Sequence, residues 1–295
     1  MKLNKNTFLF EGMIQPFYEM AAYEALWKDY SSFKKMADLF REYPDSKPSD
    51  FIRPEEIIEM KTFIQNQFQD KGIESVGIRI NGCLDYPERL RDANNPIEAF
   101  YFRGNWELIE HPKRVAIVGS RNVSDDGIKR TRKLTKLLVE SGYTIVSGLA
   151  KGVDTIAHQT AIELLGRTVA VIGTPITENY PLENKKLQEK IAKDYLLISQ
   201  IPIWKYKQHD YRVNRLFFPE RNITMSALTQ ATIIVEAGET SGTLTQARAA
   251  LAQGRKLFIL DNCFLNPNIT WPEKYLKKGA IRVKSIEDIL KNLEG

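Results

Sequence analysis

Two short apolar runs, each followed by a glycine-containing loop, constrain the fold more than any other feature of this chain. They are residues 115–118 (VAIV) and 143–146 (YTIV), and both are typical of buried strands. A helix that Ser124 or Asp125 can cap is predicted between them. This order predicts a βαβ crossover. Backbone N–H groups and the helix dipole at such loops favour an anionic ligand such as phosphate.

Similar apolar runs recur towards the C-terminus and predict the fold class. They lie at residues 168–172, 195–198, 232–235, 256–260 and 280–283. Their near-continuous Val, Ile and Leu content favours a parallel sheet that is covered on both faces. Helices are predicted between the runs, at about residues 154–165, 183–193, 221–229, 241–253 and 285–293. We therefore expect a doubly wound α/β fold with a mainly parallel, Rossmann-like sheet.

The segment before this sheet has a different character. Residues 1–70 predict a separate, small N-terminal bundle of about three helices, one capped by Ser31 or Ser32 and one beginning at Pro54. Residues 71–112 predict lead-in strands and a turn that can add an edge to the main sheet. Residues 113–295 then form the Rossmann-like domain itself.

Composition excludes several classes of protein. No apolar run approaches the roughly 20 residues that cross a bilayer, and the N-terminus lacks an apolar signal core, so we expect a cytoplasmic protein without a membrane segment. Two cysteines, far apart in the sequence, argue against a disulfide framework or a cysteine metal site. A net charge of +5 permits a nucleic-acid partner without requiring one.

Motifs for common cofactors and reactions are missing, so we expect no cofactor, no metal and no enzymatic activity. The first predicted strand is followed by GSRNVSDDG rather than GxGxxG, and the chain has no P-loop motif. Its three histidines are scattered. Asp154 and His158 can share a helix face, and we interpret them as structural residues of the second glycine loop. Thr240 and Ser241 resemble part of a nucleophile elbow but are interpreted as helix-capping hydroxyls.

Loops that follow successive strands of an open α/β sheet meet at one edge, where ligands bind. Here they carry hydroxyls, cations and aromatic rings, which together suit single-stranded nucleic acid. The residues concerned are Ser120, Arg121, Ser147, Gly148, Lys151, Tyr180, Lys185, Lys186, Phe217, Phe218, Arg221, Asn222 and 239–243. Two alternatives stay open: Lys185 and Lys186 can be a solvated helix start, and Arg121 and Arg221 can pair with carboxylates in the scaffold.

These loops also resemble the DNA-processing protein A (DprA/Smf) family, over about residues 85–289. The resemblance rests on the order and spacing of VAIVGSR (115–121), IVSGLAKGVDTIAH (145–158), TVAVIG (168–173), LISQIP (197–202), FFPERN (217–222), IIVEAGETSGTLTQA (233–247) and KKGA (277–280). It implies a homodimeric protein that binds single-stranded DNA without reading its sequence. Such a protein assists a RecA-type recombinase during uptake or processing of incoming DNA, as in transformation.

The resemblance also implies roles for individual residues. The residues implied to hold backbone phosphate are Gly119, Ser120, Arg121, Ser147, Gly148, Lys185, Arg221 and Asn222. We add Lys151 because it lies in the same set of predicted loops. Phe217 or Phe218 is implied to offer a stacking face.

Departures from the family pattern predict a divergent member. Ile223 replaces the last residue of an R-N-R motif, Pro175 replaces a glycine, and Asp261 stands where P-G is usual. We also expect no winged helix after the sheet.

Two other functions stay open. One is a nucleotide-binding sensor or a phosphoribohydrolase-like enzyme, in which Glu236 or Glu239 acts as the acid. The other is an interaction protein in defence against foreign DNA, whose N-terminal helices recruit an effector.

Overall fold

The computed structural model describes residues 14–83 and 85–293. The strands of this part of the chain are β1 Gly77–Ile80, β2 Ala99–Gly104, β3 Arg114–Val118, β4 Thr144–Ser147, β5 Thr168–Ile172, β6 Leu196–Ser199, β7 Ala231–Ile234, β8 Lys256–Leu260 and β9 Ile281–Val283. The helices up to β6 are α1 Pro16–Leu26, α2 Phe33–Glu42, α3 Pro54–Asp70, α4 Glu107–Glu110, α5 Asp125–Glu140, α6 Val153–Glu163 and α7 Lys185–Asp194.

The later helices are α8 Ile203–Lys207, α9 Tyr211–Asn214, α10 Phe217–Ala227, α11 Thr243–Ala252, α12 Asp261–Phe264, α13 Trp271–Leu276 and α14 Ile286–Leu293. Short 3₁₀ helices cover Pro48–Phe51, Glu88–Asp92 and Leu182–Asn184. None of the described helices is long and apolar enough to cross a membrane.

All of these strands belong to one sheet, and the predicted fold class is confirmed. The order across the sheet is β1-β2-β6-β5-β4-β3-β7-β8-β9. Strands β3 to β9 pair in parallel, whereas β2 runs antiparallel to both β1 and β6. Each predicted apolar run coincides with a strand to within about a residue, and the lead-in strands form the antiparallel edge.

Alternate residues of the central strands pack into two separate apolar clusters, one on each face of the sheet. On β3, Val115 and Ile117 face the cluster that contains Leu138 of α5, whereas Ala116 and Val118 face the other cluster. Both faces are covered by helices, which explains why the strand sequences are continuously apolar rather than alternating.

The position of the ligand crevice follows from the strand order. From β3 the chain adds β4, β5 and β6 on one side, and it then returns to place β7, β8 and β9 on the other side. The order therefore reverses between β3 and β7. In open α/β sheets the loops at the carboxyl ends of two such strands diverge and leave a binding crevice between them.

The N-terminal helices pack on the same face of the sheet as α10. Ser32 caps α2 by accepting a hydrogen bond from the N–H of Lys35 at 3.3 Å, and α3 begins at Pro54, as the sequence predicts. The rings of Phe33 on α2 and Phe217 on α10 meet edge to face at 6.1 Å. These helices share one apolar cluster with β2, β5 and β6. The first 13 residues of the predicted bundle lie outside the described residues, and its boundary at residue 70 stays a prediction.

Candidate nucleic-acid interface

A cleft of about 810 Å³ opens at the point where the strand order reverses. One side is the loop after β3, the second is the loop after β7 together with the start of α11, and the third is the segment from α9 into α10. The main lining residues are Gly119, Ser120, Arg121, Asn122, Tyr211, Arg215, Leu216, Phe218, Arg221, Asn222 and Thr240 to Thr243.

Packing and hydrogen bonds fix the loop after β3. A Cβ atom at Gly119 would lie 2.6 Å from Cγ2 of Val153 and 2.9 Å from the carbonyl oxygen of Glu236, so only glycine fits there. The N–H of Ser120 donates to that same carbonyl at 2.8 Å. The Ser120 hydroxyl accepts a hydrogen bond from the N–H of Asn122 at 3.1 Å. This local turn leaves the intervening Arg121 exposed at the mouth of the cleft.

The loop after β7 brings the N-terminus of α11 to the same cleft. The hydroxyl of Ser241, directly before the N-cap residue Gly242, accepts a hydrogen bond from the N–H of Thr243 at 3.2 Å. The Thr243 hydroxyl donates to the carbonyl oxygen of Gly119 at 3.3 Å and ties the two loops together. A helix N-terminus carries a partial positive charge, which favours a phosphate in the cleft.

Aromatic and cationic side chains converge on the ring of Phe218. The guanidinium of Arg121 lies 5.6 Å from the ring centroid, and the ring of Tyr180 lies 5.4 Å away. The ring of Tyr211 lies 6.5 Å from that of Tyr180 and extends the aromatic surface outwards. Arg121 and Arg215 are exposed, and neither pairs with a carboxylate of the described residues. The cleft therefore presents two uncompensated cations beside an aromatic face.

Arg221, by contrast, is 4% exposed and holds the floor of the cleft. One of its guanidinium nitrogens donates to the carbonyl oxygens of Gly148 at 2.5 Å and of Val171 at 2.6 Å. Its Nε donates to the side-chain oxygen of Asn222 at 2.9 Å. Burial lowers the pKa of Arg221 to about 10, although the nearby carboxylate of Asp154 opposes this shift. Arg221 thus ties α10 to the loop after β4 and to β5 itself.

Asp154 and His158 have the structural roles that the sequence indicates. The Asp154 carboxylate accepts hydrogen bonds from the N–H groups of Gly148 at 3.1 Å and Ala150 at 3.4 Å, and so it holds the second glycine loop. The buried ring of His158 bonds through Nδ1 to the hydroxyl of Thr168 at 2.7 Å. Burial raises the pKa of Asp154 to about 6 and lowers that of His158 to about 3.

Several predicted site residues do not line the cleft. Ser147 is fully buried, and its hydroxyl donates to the carbonyl oxygen of Ile117 at 2.7 Å. Phe217 points into the core and stacks on Tyr206 at 6.3 Å, which leaves Phe218 as the aromatic residue of the cleft. Lys151 and Lys185 are exposed outside it, and Lys151 pairs with Glu183.

Part of the cleft wall was not predicted from the sequence. Tyr211 and Leu216 are 58% and 63% exposed, and they line the cleft together with Arg215. All three come from the segment between β6 and α10, which has no clear periodicity. An available signal was the density of cationic and aromatic residues in HDYRVNRLFF (209–218).

Comparisons with known proteins identify the family. The sequence model described as "DNA recombination-mediator protein A" matches residues 79–294, which is well over half of the chain. The chain belongs to this family. The DNA processing protein DprA of Bacillus subtilis is 32% identical over 226 residues, which cover 77% of this chain and 73% of that protein.

Solved structures of family members have the same fold as this chain. The X-ray structure of DNA processing protein A from Streptococcus pneumoniae matches with a TM-score of 0.67 and 27% identity, covering 99% of this chain and 98% of that one. A Helicobacter pylori relative matches with a TM-score of 0.63 and 28% identity, covering 75% of this chain and 96% of that one. It is described as showing a single-stranded DNA binding mode of DNA processing protein A.

Departures from the family pattern fall outside the cleft lining. Pro175 is buried after β5, and its carbonyl oxygen accepts a hydrogen bond from the N–H of Glu178. Ile223 accepts a hydrogen bond at its carbonyl oxygen from the Gln253 side chain at 3.1 Å. Asp261, which directly follows β8, pairs with Arg282 of β9 at 2.6 Å. None of the three positions is among the described residues that line the cleft.

Glu236 and Glu239 are bound to neighbouring loops rather than directed into the cleft. Glu236 accepts hydrogen bonds from the N–H and hydroxyl of Ser124, at 2.8 and 2.7 Å. Glu239 accepts two from Thr270, both at 2.7 Å, and these bonds lower its pKa. Neither carboxylate lines the cleft. Within the described residues no cluster of His, Cys, Asp and Glu could hold a metal ion.

Proposed function

We propose that this protein binds single-stranded DNA in the cleft at the carboxyl edge of its sheet, without reading the base sequence. The observation that carries the proposal is the pair of exposed arginines, Arg121 and Arg215, that lack a carboxylate partner among the described residues and line the same cleft as the ring of Phe218. Cations bind backbone phosphates and an aromatic ring stacks on any base, so this combination is tolerant of sequence.

Each part of the cleft has a role in this proposal. Gly119, Ser120 and Arg121 hold one phosphate, and Arg215 holds a neighbouring one. The ring of Phe218 stacks on a base, and the amide of Asn222 contacts the strand beside it. Ser147, Gly148 and Arg221 support this surface from beneath. Lys185 adds an exposed cation outside the cleft, whereas the charge of Lys151 is compensated by Glu183. Phe217 keeps α10 on the core.

Support also comes from the family. A DNA-processing role is common to the relatives, and the Helicobacter pylori structure is described as binding single-stranded DNA. On the family resemblance we further propose that the protein forms a homodimer in the cytoplasm. We also propose that it assists a RecA-type recombinase and acts without catalysing a reaction.

Fluorescence anisotropy of a labelled oligo-dT, titrated at several salt concentrations, tests the binding proposal. Arg121→Ala and Arg215→Ala should each weaken binding by about ten- to 150-fold, since a charge-assisted hydrogen bond contributes about 1.5–3 kcal/mol. Each should also reduce the log–log salt slope by about 0.7, the value for one phosphate contact on a single strand. Arg132→Ala, which removes an exposed cation of α5 outside the cleft, is the matched control.

A second oligonucleotide of mixed sequence should give the same affinities, because neither contact reads a base. Wild-type protein that does not bind DNA at low salt would contradict the proposal. So would equal losses in Arg215→Ala and Arg132→Ala, since binding would then follow net charge rather than the cleft.

A further inference from the structure

One wall of the cleft is held in place by residues that lie outside the cleft. The segment from α8 to the start of α10 carries Tyr211, Arg215 and Leu216, whose side chains are exposed. Its two helices have only five and four residues. Helices this short have no stability of their own in water. Tertiary contacts must therefore decide where these side chains lie.

One buried carboxylate provides the main anchor of this segment. Glu24 of α1 is completely buried, and its two oxygens accept hydrogen bonds from the N–H groups of Ile203 at 2.7 Å and Trp204 at 3.0 Å. These N–H groups belong to the first turn of α8, where a carboxylate caps a helix most effectively. The hydroxyl of Tyr101 on β2 also donates to Glu24, at 3.0 Å, and fixes the carboxylate in place.

Further hydrogen bonds hold α8 in place and connect it to the wall of the cleft. Lys205 donates through Nζ to the carbonyl oxygens of Trp27 and Tyr30, which follow α1, at 3.3 and 3.5 Å. The side-chain amide of Asn214 donates to the carbonyl oxygens of Tyr206 at 2.9 Å and His209 at 3.0 Å, so α9 is tied to the end of α8. Arg215 directly follows Asn214.

We propose that Glu24 is a positioning residue of the cleft: by capping α8 it fixes α9, and with it Tyr211 and Arg215, on the cleft wall. This inference rests on the proposed function for its effect on DNA, but its structural part does not. It assigns to the N-terminal helices a part in forming the binding surface.

Hydrogen exchange of the DNA-free protein tests the structural part. Glu24→Ala should increase amide exchange in peptides that cover residues 203–216, because the first turn of α8 loses both acceptors. Glu19→Ala is the matched control. Glu19 is a second buried carboxylate of α1, and it accepts hydrogen bonds from the N–H and hydroxyl of Ser49 rather than from α8. Its loss should leave exchange in residues 203–216 unchanged.

DNA binding tests the functional part through a double-mutant cycle. Glu24→Ala should weaken oligo-dT binding by about ten- to 150-fold, the loss expected for one charge-assisted contact. The double variant with Arg215→Ala should bind within about two-fold of Arg215→Ala alone, since both changes remove the same contact. Where Glu24→Ala does not fold, Glu24→Gln serves both measurements, because it keeps the side-chain volume and one acceptor.

The outcomes separate the two proposals. Wild-type protein that fails to bind DNA removes the proposed function, while localised exchange in Glu24→Ala still supports the anchor. Unchanged exchange in residues 203–216, or an equal increase in Glu19→Ala, overturns the inference. Additive losses of affinity in the double variant overturn it as well, because Glu24 would then act independently of Arg215.

Discussion

Replacing Arg221 by methionine should destabilise the whole fold, whereas the same change at Arg121 should affect ligand binding only. Methionine keeps most of the side-chain length but leaves the carbonyl oxygens of Gly148 and Val171 without their donor. A hydrogen bond to a charged group contributes about 1.5–3 kcal/mol, so losing two should cost about 3–6 kcal/mol. That is a large part of the 5–15 kcal/mol by which a domain is typically stable.

The loss should also depend on pH, through Asp154. Burial raises the pKa of this carboxyl to about 6, although the charge of Arg221 opposes the shift. A raised pKa means that the contribution of Asp154 to stability is present below its ordinary value of 3.8 and is lost as the pH rises through the folded value. Without Arg221 the folded pKa rises further, so the variant loses more than wild type between about pH 6 and 8.

Urea unfolding followed by circular dichroism, at pH 5 and pH 8, measures both effects. Arg221→Met should unfold at lower urea than wild type at both values, with the larger difference at pH 8. Arg121→Met, at an exposed position of the same cleft, should unfold with wild type. This prediction is wrong if Arg221→Met unfolds at the same urea concentration as wild type at both pH values, or if the difference between their urea midpoints is larger at pH 5.

Two further predictions concern other parts of the molecule. A Cβ atom at Gly173 would lie 2.4 Å from Cδ1 of Phe218, so Gly173→Ala should turn the ring and weaken oligo-dT binding without changing the salt slope. Anisotropy measures this, and unaltered affinity would contradict a stacking role for Phe218. Burial raises the pKa of Glu24 from 4.5 to about 7, so the stability of wild type relative to Glu24→Gln should fall by about 3 kcal/mol from pH 4.5 to 8. A difference in urea midpoint that stays constant across this range would show that Glu24 keeps its ordinary pKa.

Strands could be predicted from the sequence because the sheet is buried on both faces. A strand such as β5 has no exposed side, so every position after Thr168 is apolar and the run is visible without an alignment. Helices α8 and α9 could not be predicted in this way. They are held by Glu24, Lys205 and Asn214, whose partners are distant in the sequence or lie in the backbone, and a local pattern records neither.

The candidate site was predictable by region but only partly by residue. Strand order places the loops after β3 and β7 at one cleft, and those loops were predicted. The strand order does not predict which side of a helix faces the cleft. Phe217 and Phe218 are neighbours on α10, and successive helical residues point about 100° apart, so one packs into the core and the other borders the cleft. Arg221 lies one helical turn after Phe217, on the same side of α10, and it is buried against Gly148.

Helix α10 connects the packing surface of the N-terminal helices with the cleft. Its Phe217 packs against Phe33 of α2, while the adjacent Phe218 borders the cleft. The sequence model of the family begins to match at residue 79, after α2 and after Glu24. A shortened chain that begins there would expose the apolar face of α10 and free the first turn of α8. Substitutions on the packed face of the N-terminal helices should therefore change how tightly this cleft binds its ligand, although the cleft residues themselves are unchanged.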